Sequence, residues 1–370
     1  MAVPLGFAVV EVAIIGAGPA GSTLAALLAA RGIDVTLFDR DPFPRDKLCG
    51  EFLSYDALPV LDALGVDLAH APHIETCRII GAKRTYAFAL PKPARGVSRL
   101  FLDDLLLRTA ERNGAKRRDG ETVSELPKAK VIVGAWGRWG RFDRQLARSF
   151  VNVKDRNFGF KRHYVQPEPR TSIDLYSFRN GYLGVNAVEG NVTNICGLVH
   201  ASRLAGHKGR WDAFIDTIRA EEPHLDALYA AHAPAQEGYL SSEPVIFRAR
   251  SAVEGGVFMI GDASGVLDPL TGNGMAMAIQ SALLAAPYVV GALETPLHRT
   301  QIENDYRDAH RRFFAPRITW SRRAALLLSR PRLLDAALTA IRTPRAGELF
   351  LHRTRAGVGE VERLAAAWFR

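Results

Sequence analysis

The chain has 370 residues, 48% of them hydrophobic and 24% charged, which is the composition of an ordinary globular protein with room for two domains. Its three cysteines, Cys49, Cys77 and Cys196, are too few and too scattered for a disulfide framework or a zinc site, so we expect no metal and a cytoplasmic location. The net charge of +9 is concentrated in residues 299–370, which contain 15 Arg, no Lys and 7 acidic residues. This basic tail predicts either solvated helix faces or a docking surface for an acidic carrier protein or an anionic membrane, and no nucleic-acid partner is expected.

Neither apolar stretch of the chain predicts a targeting or membrane segment. Met1–Val10 lacks a basic leader and runs into the first predicted strand, so no cleaved secretory signal is expected. Ala282–Leu293 is shorter than a bilayer-spanning helix and contains Pro287, so no transmembrane helix is expected either.

A glycine-rich turn near the start carries the pattern of a dinucleotide-binding unit. Val12–Ile15 is a continuous apolar run, as in a strand buried on both faces. Gly16 permits a tight turn, Gly18 lets the backbone approach a pyrophosphate, and Gly21 lets the following helix pack closely on the strand. Any glycine turn between a strand and a helix would look similar, so the turn alone is weak evidence.

The residues that follow strengthen this interpretation. A helix is predicted from Ser22 to Arg31, with Gly32 at its end, and a second strand from Ile33 to Phe38. Asp39 stands at the end of that strand, where an acidic side chain can bind ribose hydroxyls. Together the strand, helix and terminal acid favour a nucleotide site, without deciding between FAD and NAD.

The loop from Asp41 to Glu51 contains Pro44-Arg45-x-Lys47-x-Cys49-Gly50. This motif, after the glycine turn, resembles the FAD superfamily of para-hydroxybenzoate hydroxylase-type monooxygenases, geranylgeranyl reductases and flavin-dependent halogenases. The resemblance implies that Arg45, Cys49 and Gly50 lie beside the flavin. Cys49 is either a thiol that donates protons near the flavin or a small buried residue, and Arg45 and Lys47 would favour its thiolate if it were exposed.

Two further segments match the superfamily. Ser98-Arg99-x-x-Leu-Asp begins a predicted helix that ends at Ala110–Gly114, and the resemblance implies that Arg99 reaches the cofactor; the alternative is an exposed helix start. Glu121–Val123 corresponds to the short strand whose backbone contacts adenine in relatives.

One position departs from the superfamily. Hydroxylases carry an Asp-Gly pair after the strand Lys130–Gly134, associated with FAD and NAD(P)H, whereas this chain has Trp136-Gly137. An indole cannot supply the charge or acceptor oxygens of a carboxylate, so NAD(P)H as the transient reductant is in doubt. A separate flavin or electron donor is the alternative.

From Asn157 to Val199 the chain has short alternating runs that predict an antiparallel sheet with one face on a ligand. The resemblance identifies it as the substrate domain. Gly184 replaces a tryptophan of the halogenase motif, which disfavours halogenation and weakens the case for polyprenyl reduction. Candidate pocket residues in this sheet are His163, Tyr164, Tyr176 and Tyr182, although a single aromatic in a sheet is more often packing.

A second nucleotide signal lies far downstream. Gly256–Asp262 predicts a buried strand ending in an acid, and Pro269-x-x-Gly272-x-Gly274 precedes a helix from Ala276 to Ala286. In the superfamily the acid binds the ribityl chain and the turn presents backbone N–H groups to the flavin, whose reduced ring carries negative charge that a helix N-terminus stabilises. Two such signals with a β-rich segment between them favour FAD over NAD alone. The predicted FAD-binding residues are Gly16, Gly18, Pro19, Ala20, Gly21, Asp39, Arg40, Arg45, Cys49, Gly50, Arg99, Val123, Gly261, Asp262, Pro269, Gly272, Asn273, Gly274 and Met275.

The predicted fold is α/β, with a Rossmann-like ββα FAD-binding domain, an interposed antiparallel β-sheet substrate domain and a C-terminal helical segment. The FAD-binding domain would comprise residues 1–72, 98–150 and 249–298. The substrate domain would comprise residues 73–97 and 151–248. Residues 299–370 predict amphipathic helices interrupted at Pro316, Pro331 and Pro344, which cover the active site or contact a partner.

The predicted function is that of an FAD-dependent oxidoreductase of secondary metabolism, with a monooxygenase that hydroxylates an aromatic or polyketide-type small molecule as first choice. Such a substrate could be free or bound to a carrier protein. One alternative is a geranylgeranyl-reductase-like reductase or dehydrogenase acting on a carbon–carbon bond. Another is a flavin-binding partner protein without turnover, which Trp136 and the basic tail suggest. Catalytic candidates are Cys49, His163 and Tyr176.

Overall fold

The computed structural model describes residues 10–153, 156–207, 209–341 and 345–370. Most of the apolar start and Pro344 lie outside the described residues. The strands are β1 (Val10–Ile15), β2 (Val35–Asp39), β3 (Phe52–Leu53), β4 (His73–Ile80), β5 (Thr85–Gly96), β6 (Lys116–Asp119), β7 (Ala129–Gly134), β8 (Asn157–Val165), β9 (Ser172–Phe178), β10 (Gly181–Val188), β11 (Val192–His200), β12 (Leu240–Ser241), β13 (Val253–Glu254) and β14 (Val257–Met259).

The helices alternate with these strands in the first part of the chain and follow one another at its end. They are α1 (Pro19–Ala29), α2 (Leu58–Ala63), α3 (Arg99–Arg112), α4 (Phe142–Gln145), α5 (Ala201–Leu204), α6 (Trp211–Glu221), α7 (Pro223–Ala230), α8 (Gly274–Glu294), α9 (Arg299–Leu328), α10 (Pro331–Ala340), α11 (Arg345–Thr354) and α12 (Val358–Phe369). The helix α1 begins earlier than predicted because Pro19 occupies its first turn, where its missing N–H costs nothing.

The nucleotide sheet has the strand order β13-β14-β7-β1-β2-β6 and is parallel except for the β13–β14 pair. Its central strand β1 is buried from Val12 to Ile15, and α1 packs beside both α3 and α8. Parallel strands place their carboxyl ends at one edge, so the turns after β1, β2, β7 and β14 meet there.

The second sheet has the order β12-β8-β11-β10-β9-β4-β5-β3. Its neighbouring strands pair antiparallel, except that β4 pairs with β9 in parallel. The sheet is therefore mixed rather than purely antiparallel, because β4 and β9 come from different inserted segments and no short connection fixes their direction. This pair joins the two predicted parts of the substrate domain.

Two predictions about single elements are wrong. No strand forms at Glu121–Val123; the strand that pairs with β2 is β6, since Thr36 to Asp39 pair with Lys116 to Asp119. Pro316 lies inside α9 rather than ending a helix, on an exposed face where water can satisfy the carbonyl it leaves free. Pro331 does begin a new helix, at the first turn of α10.

The helix α8 is longer than predicted, with 21 residues from Gly274 to Glu294. Its length and hydropathy would allow it to span a membrane, and 72% of its most apolar stretch is buried inside the fold. It packs against α1, α9 and α12, so within the described structure it is a core helix.

Candidate functional site

The turn after β1 forms a cradle that only glycine fits. Gly16 has φ +111°, and a Cβ there would lie 2.3 Å from the carbonyl oxygen of Ala135. A Cβ on Gly21 would lie 1.9 Å from the carbonyl oxygen of Gly16, so α1 lies directly against the turn. Gly18 caps α1 without any side-chain hydrogen bond, which leaves the N-terminal N–H groups of the helix for a ligand.

Asp39 closes one end of this cradle. Its Oδ2 accepts from the backbone N–H of Ala17 at 2.8 Å, and its Oδ1 accepts from Arg45 Nη2 at 2.8 Å. Arg45 therefore lies at the ribose end of the site. Arg40 points to solvent, with 76% of its side chain exposed, and pairs with Asp41. The carbonyl of Val123 accepts from Arg141 at 3.3 Å.

Arg99 lies at the centre of the site. Its guanidinium binds both carboxylate oxygens of Asp103 at 2.6 Å and is 3.6 Å from where a Cβ of Gly18 would stand. It is also a near cation for Cys49 and Asp262. Only 13% of the Arg99 side chain is exposed, so the alternative of an exposed helix start is wrong.

The turn after β14, at Gly261 and Asp262, and the turn before α8 together form a second cradle, which touches the first. Gly261 has φ +58°, and a Cβ there would lie 2.9 Å from Cβ of Ala20 in α1. Burial raises the pKa of Asp262, and the cations Arg138, Arg250 and Arg99 oppose this shift. Among the described residues no side chain or backbone group donates to the Asp262 carboxylate, which leaves its oxygens available to ligand hydroxyls.

The turn before α8 completes the second cradle. Asp268 Oδ1 accepts from Leu270 N at 3.1 Å, and Gly272 has φ +62° with its Cβ position 2.6 Å from Phe52. Nothing lies within 4 Å of a Cβ on Gly274, at the first residue of α8. Asn273 donates to the carbonyl of Thr354, while its Oδ1 is buried with no partner among the described residues. Met275 is buried in the core below this turn.

A mostly apolar pocket lies between the turn before α8, the second sheet and the C-terminal helices. It is lined by Gly50, Phe52, Cys77, Ile173, Leu175, Tyr182, Gly184, Cys196, Gly197, Pro269, Leu270, Thr271, Gly272, Phe350 and Arg355. Its walls thus include both segments that the resemblance assigns to the flavin, around Gly50 and around Pro269–Gly272. A Cβ on Gly184 would make ordinary contacts with Leu175 at 3.8 Å and with Cys196 and Ile173 at 3.9 Å, so only a small side chain would fit there without displacing a neighbour.

A buried charged cluster lies beside Cys49. Lys161 is fully buried, and its Nζ donates to Glu51 Oε1 and to Asp46 Oδ1, both at 2.6 Å. His163 Nε2 lies 2.6 Å from the other oxygen of Glu51, and the backbone N–H of Arg99 donates to Glu51 Oε1 at 2.9 Å. Since Asp46 is 25% exposed, hydrogen bonds run from near solvent to the residues next to Cys49.

The catalytic candidates lie on two different faces of the second sheet. His163 points toward the nucleotide domain, in the cluster with Glu51. Tyr176 pairs with Leu183, on the face that packs against helices, and its ring stacks on His224. Tyr164 lies on that same face, where its hydroxyl is 3.1 Å from that of Tyr239. Tyr176 therefore does not face the pocket, while Tyr182 does, because period two places these residues on opposite faces.

The Cys49 thiol is held neutral. Burial raises its pKa, although the nearby Arg99 guanidinium opposes the shift. The thiol also accepts from the backbone N–H of Glu51 at 3.4 Å. The thiolate that Arg45 and Lys47 would favour in an exposed loop is therefore not the form that this site stabilises.

Trp136 has a packing role. Its Nε1 donates to Asp143 Oδ1 at 3.1 Å, and its ring packs beside Phe142 and fills the space next to Gly140. The indole therefore offers no carboxylate to a nicotinamide at this position.

Four residues of the site were not identified from the sequence: Glu51, Lys161, Asp268 and Arg355. Lys161 shares the face of His163 by period two, but a buried lysine is recognised only once its partner is placed. Arg355 was one of many arginines in the basic tail. Asp268 directly precedes the Pro269 motif, which was the one available signal.

The two cradles, in contact through Gly261 and Ala20, form one continuous dinucleotide site, and comparison with known proteins names its ligand. Residues 9–123 match the family model described as FAD binding domain. Among curated relatives, conditioned medium factor receptor 1 of Dictyostelium discoideum is 27% identical, over 92% of this chain and 75% of its own length. Tryptophan 2-halogenase of Chondromyces crocatus is 27% identical over 75% and 60%. Menaquinone reductase of Mycolicibacterium smegmatis is 27% identical over 88% and 86%.

Solved structures share the fold over nearly the whole chain. A geranylgeranyl bacteriochlorophyll reductase-like protein from Thermoplasma acidophilum superposes with a TM-score of 0.76 at 19% identity, covering 96% of this chain and 98% of its own. PqsL, a probable FAD-dependent monooxygenase from Pseudomonas aeruginosa, superposes with a TM-score of 0.70 at 16% identity, covering 90% and 100%.

The protein is thus an FAD-dependent oxidoreductase that resembles the superfamily of flavin monooxygenases, geranylgeranyl reductases and halogenases, and it shares the fold of their solved structures. The residues present fit FAD: the glycine cradles leave room for backbone approach, Asp39 lies against the first cradle through the Ala17 N–H, and the Asp262 carboxylate is unpaired within the described structure.

Proposed function

We propose that the protein is a monooxygenase that hydroxylates an aromatic or polyketide-type small molecule. The observation that carries the proposal is the apolar pocket between Gly50, the Pro269–Gly272 turn and the second sheet. Such a pocket holds an apolar molecule against the flavin segments and excludes water. Bound FAD supplies the electron transfer and the activation of dioxygen.

Groups of this chain can hold and orient protons near the pocket. The Tyr182 hydroxyl donates to Asp268 Oδ1 at 2.6 Å, which fixes its direction, and burial raises the pKa of Tyr182 well above its usual range. His163 and Glu51 form the second proton-carrying pair, 2.6 Å apart, on the Cys49 side. Because Asp268 holds the Tyr182 proton, the Tyr182 oxygen can accept a hydrogen bond from a substrate hydroxyl, and the Glu51–His163 contact offers a second hydrogen-bonding group near the flavin segments.

Gly184 argues against halogenation, since halogenases of the superfamily carry an indole there and this chain has no side chain. Reduction of a carbon–carbon bond is the second candidate. It is supported by the neutral Cys49 thiol beside Arg99 and by relatives that are named as reductases. A partner protein without turnover remains the third hypothesis.

The test is to reduce the FAD-loaded protein, first with NADH or NADPH and then chemically, and to add labelled dioxygen with a small-molecule extract. A hydroxylase gives a product that carries the label. Product formed only under argon supports the reductase, and reduction by the chemical agent alone supports a separate electron donor. The variant Gly184→Leu fills the pocket and is expected to lower turnover by roughly ten- to hundred-fold without loss of FAD.

The control for this variant is Gly190→Leu, in the exposed turn between β10 and β11, where a Cβ meets nothing within 4 Å. It is expected to retain turnover. Equal activity of Gly184→Leu and the parent protein would show that the pocket does not hold the substrate. The proposed cytoplasmic location and a carrier-bound substrate are separate proposals.

A further inference from the structure

Among the described residues that line the pocket, Arg355 is the one cationic side chain. The other members of the lining are apolar or neutral. Arg355 lies just after α11, so it enters the pocket from the C-terminal helices rather than from the sheet. The residue is 8% exposed and therefore buried. A buried cation in an apolar pocket is costly unless an anion compensates it.

The protein partners of Arg355 are all neutral. Its Nε donates to Ser54 Oγ at 2.9 Å, its Nη1 to Thr354 Oγ1 at 3.2 Å and its Nη2 to the carbonyl of Thr271 at 3.0 Å. Because a guanidinium has five N–H groups, these three bonds leave donors without an acceptor among the described residues. Thr271 belongs to the pocket wall, so the fork is fixed at the edge of the cavity.

Two buried carboxylates on neighbouring elements bind elsewhere. Asp56 Oδ2 accepts from the backbone N–H of Ala356 and from Gln280, both at 3.0 Å. Asp268 accepts from Tyr182. The three hydrogen bonds of Arg355 go to neither of these carboxylates.

We infer that Arg355 binds an anionic oxygen group of the substrate, so that the substrate is an apolar molecule carrying a carboxylate or an ionised phenol. This inference rests on the proposed function only in taking the pocket as the substrate site. The fork geometry of arginine suits planar oxygen anions, and the surrounding apolar wall receives the rest of the molecule. The three neutral anchors hold the guanidinium in place before the anion arrives.

The test measures binding to the oxidised, FAD-loaded protein and needs no turnover. The probes are benzoate, 2-naphthoate and decanoate, each compared with the amide of the same shape, and binding is followed by the change in the flavin absorption band. The parent protein is expected to bind at least one acid roughly ten- to hundred-fold more tightly than its amide. The variant Arg355→Met should lose this preference while its affinity for the amide changes little.

The matched control is Arg353→Met, because Arg353 is exposed at the end of α11, two residues before Arg355, and lies over the Trp320 ring instead of in the pocket. It should keep the preference. Circular dichroism and FAD content show whether Arg355→Met is folded; if it is not, Arg355→Lys, which keeps the charge but loses the fork, should retain only part of the preference. Gly184→Leu should weaken acid and amide alike.

Failure of this inference is distinguishable from failure of the proposed function. Equal binding of acids and amides, or no binding of any acid, overturns the role of Arg355 even if the protein hydroxylates a neutral substrate. An acid preference that depends on Arg355 supports the inference even if the reaction proves to be a reduction.

Discussion

Glu51 connects the nucleotide domain to the second sheet. It is fully buried, has φ +54°, and holds Lys161 and His163 through its two carboxylate oxygens. Its backbone carbonyl accepts from Asn186 at 3.3 Å. A non-glycine residue in the left-handed region costs on the order of 1 kcal/mol or more, so these contacts must hold it there.

Replacing Lys161 by Met is expected to destabilise the protein by about 3–5 kcal/mol, because Glu51 would keep a buried charge without its cation. Urea denaturation of the FAD-loaded protein measures the loss. Lys92→Met is the control, since Lys92 and Glu362 form an exposed pair that should contribute less than about 1 kcal/mol. The double variant Lys161→Met with Glu51→Gln should recover part of the stability; no recovery would contradict the electrostatic explanation.

Protonation of the Lys47 amine is expected to make FAD binding depend on pH. Burial and the cations Arg99 and Arg45 lower its pKa to about 8, and an anionic pyrophosphate should raise it again. FAD binding near pH 8 should therefore take up roughly half a proton, which calorimetry in two buffers of different ionisation enthalpy detects. The free-energy cost of burying the charged Lys47 side chain is fully present below pH 8. It decreases as the pH rises from 8 toward 10.5, the ordinary pKa of lysine.

The control for this measurement is Lys92→Met, which should leave the proton uptake unchanged, whereas Lys47→Met should abolish it. Equal uptake by the parent protein and by Lys47→Met would assign the titration to another group.

At the scale of elements, the turn that precedes α8 is fixed by sterics. Gly272 combines a positive φ with a Cβ position 2.6 Å from the Phe52 ring in β3. The turn is also tied to the sheet through Tyr182 and to the C-terminal helices through Asn273. It can therefore move only if several elements move with it.

Gly272→Ala should lower both the melting temperature and the retained FAD. The left-handed backbone costs roughly 1–2 kcal/mol, and the contact with Phe52 adds to it. Gly190→Ala isolates the backbone cost, since Gly190 has φ +74° and open space around its Cβ position. If both variants lose the same stability and keep FAD equally, the contact with Phe52 has no role.

Elements that local chemistry determines were predictable from the sequence, and those that tertiary contacts determine were not. The glycines of the first cradle and the acid of β2 are local signals, and they lie where expected. Val123 is not in a strand because β6 takes the place beside β2. Pro316 does not interrupt α9, since its exposed position lets water bind the carbonyl that loses its partner.

At the scale of the molecule, residues far apart in sequence build one site. The two cradles touch at Gly261 and Ala20, and the pocket takes one wall from the second sheet and another from residues near Phe350 and Arg355. Composition showed only that the tail is basic. Which arginine enters the pocket depends on how the last helices pack, which no local pattern encodes.

FAD should stabilise the flavin-free protein more than ADP or riboflavin does at equal concentration, because only FAD engages both cradles. Thermal denaturation with each ligand measures the shift. ADP should act through the end that includes Asp39 and Arg99, and riboflavin through the turn at Gly272. A shift by ADP as large as that by FAD would mean that the second cradle contributes no affinity.

The strand β7 ends at Gly134, and β14 brings the chain back to pair its Met259 with that same glycine. The segment between β7 and β14 therefore leaves and re-enters the cofactor domain at neighbouring positions. Recombination at these two positions would exchange most of the second sheet without disturbing the cofactor domain. The parallel pairing of β4 with β9 adds a condition, because β3, β4 and β5, which form one edge of the second sheet, come before β7 in the chain. Functional chimeras between relatives should arise only when both segments are transferred together.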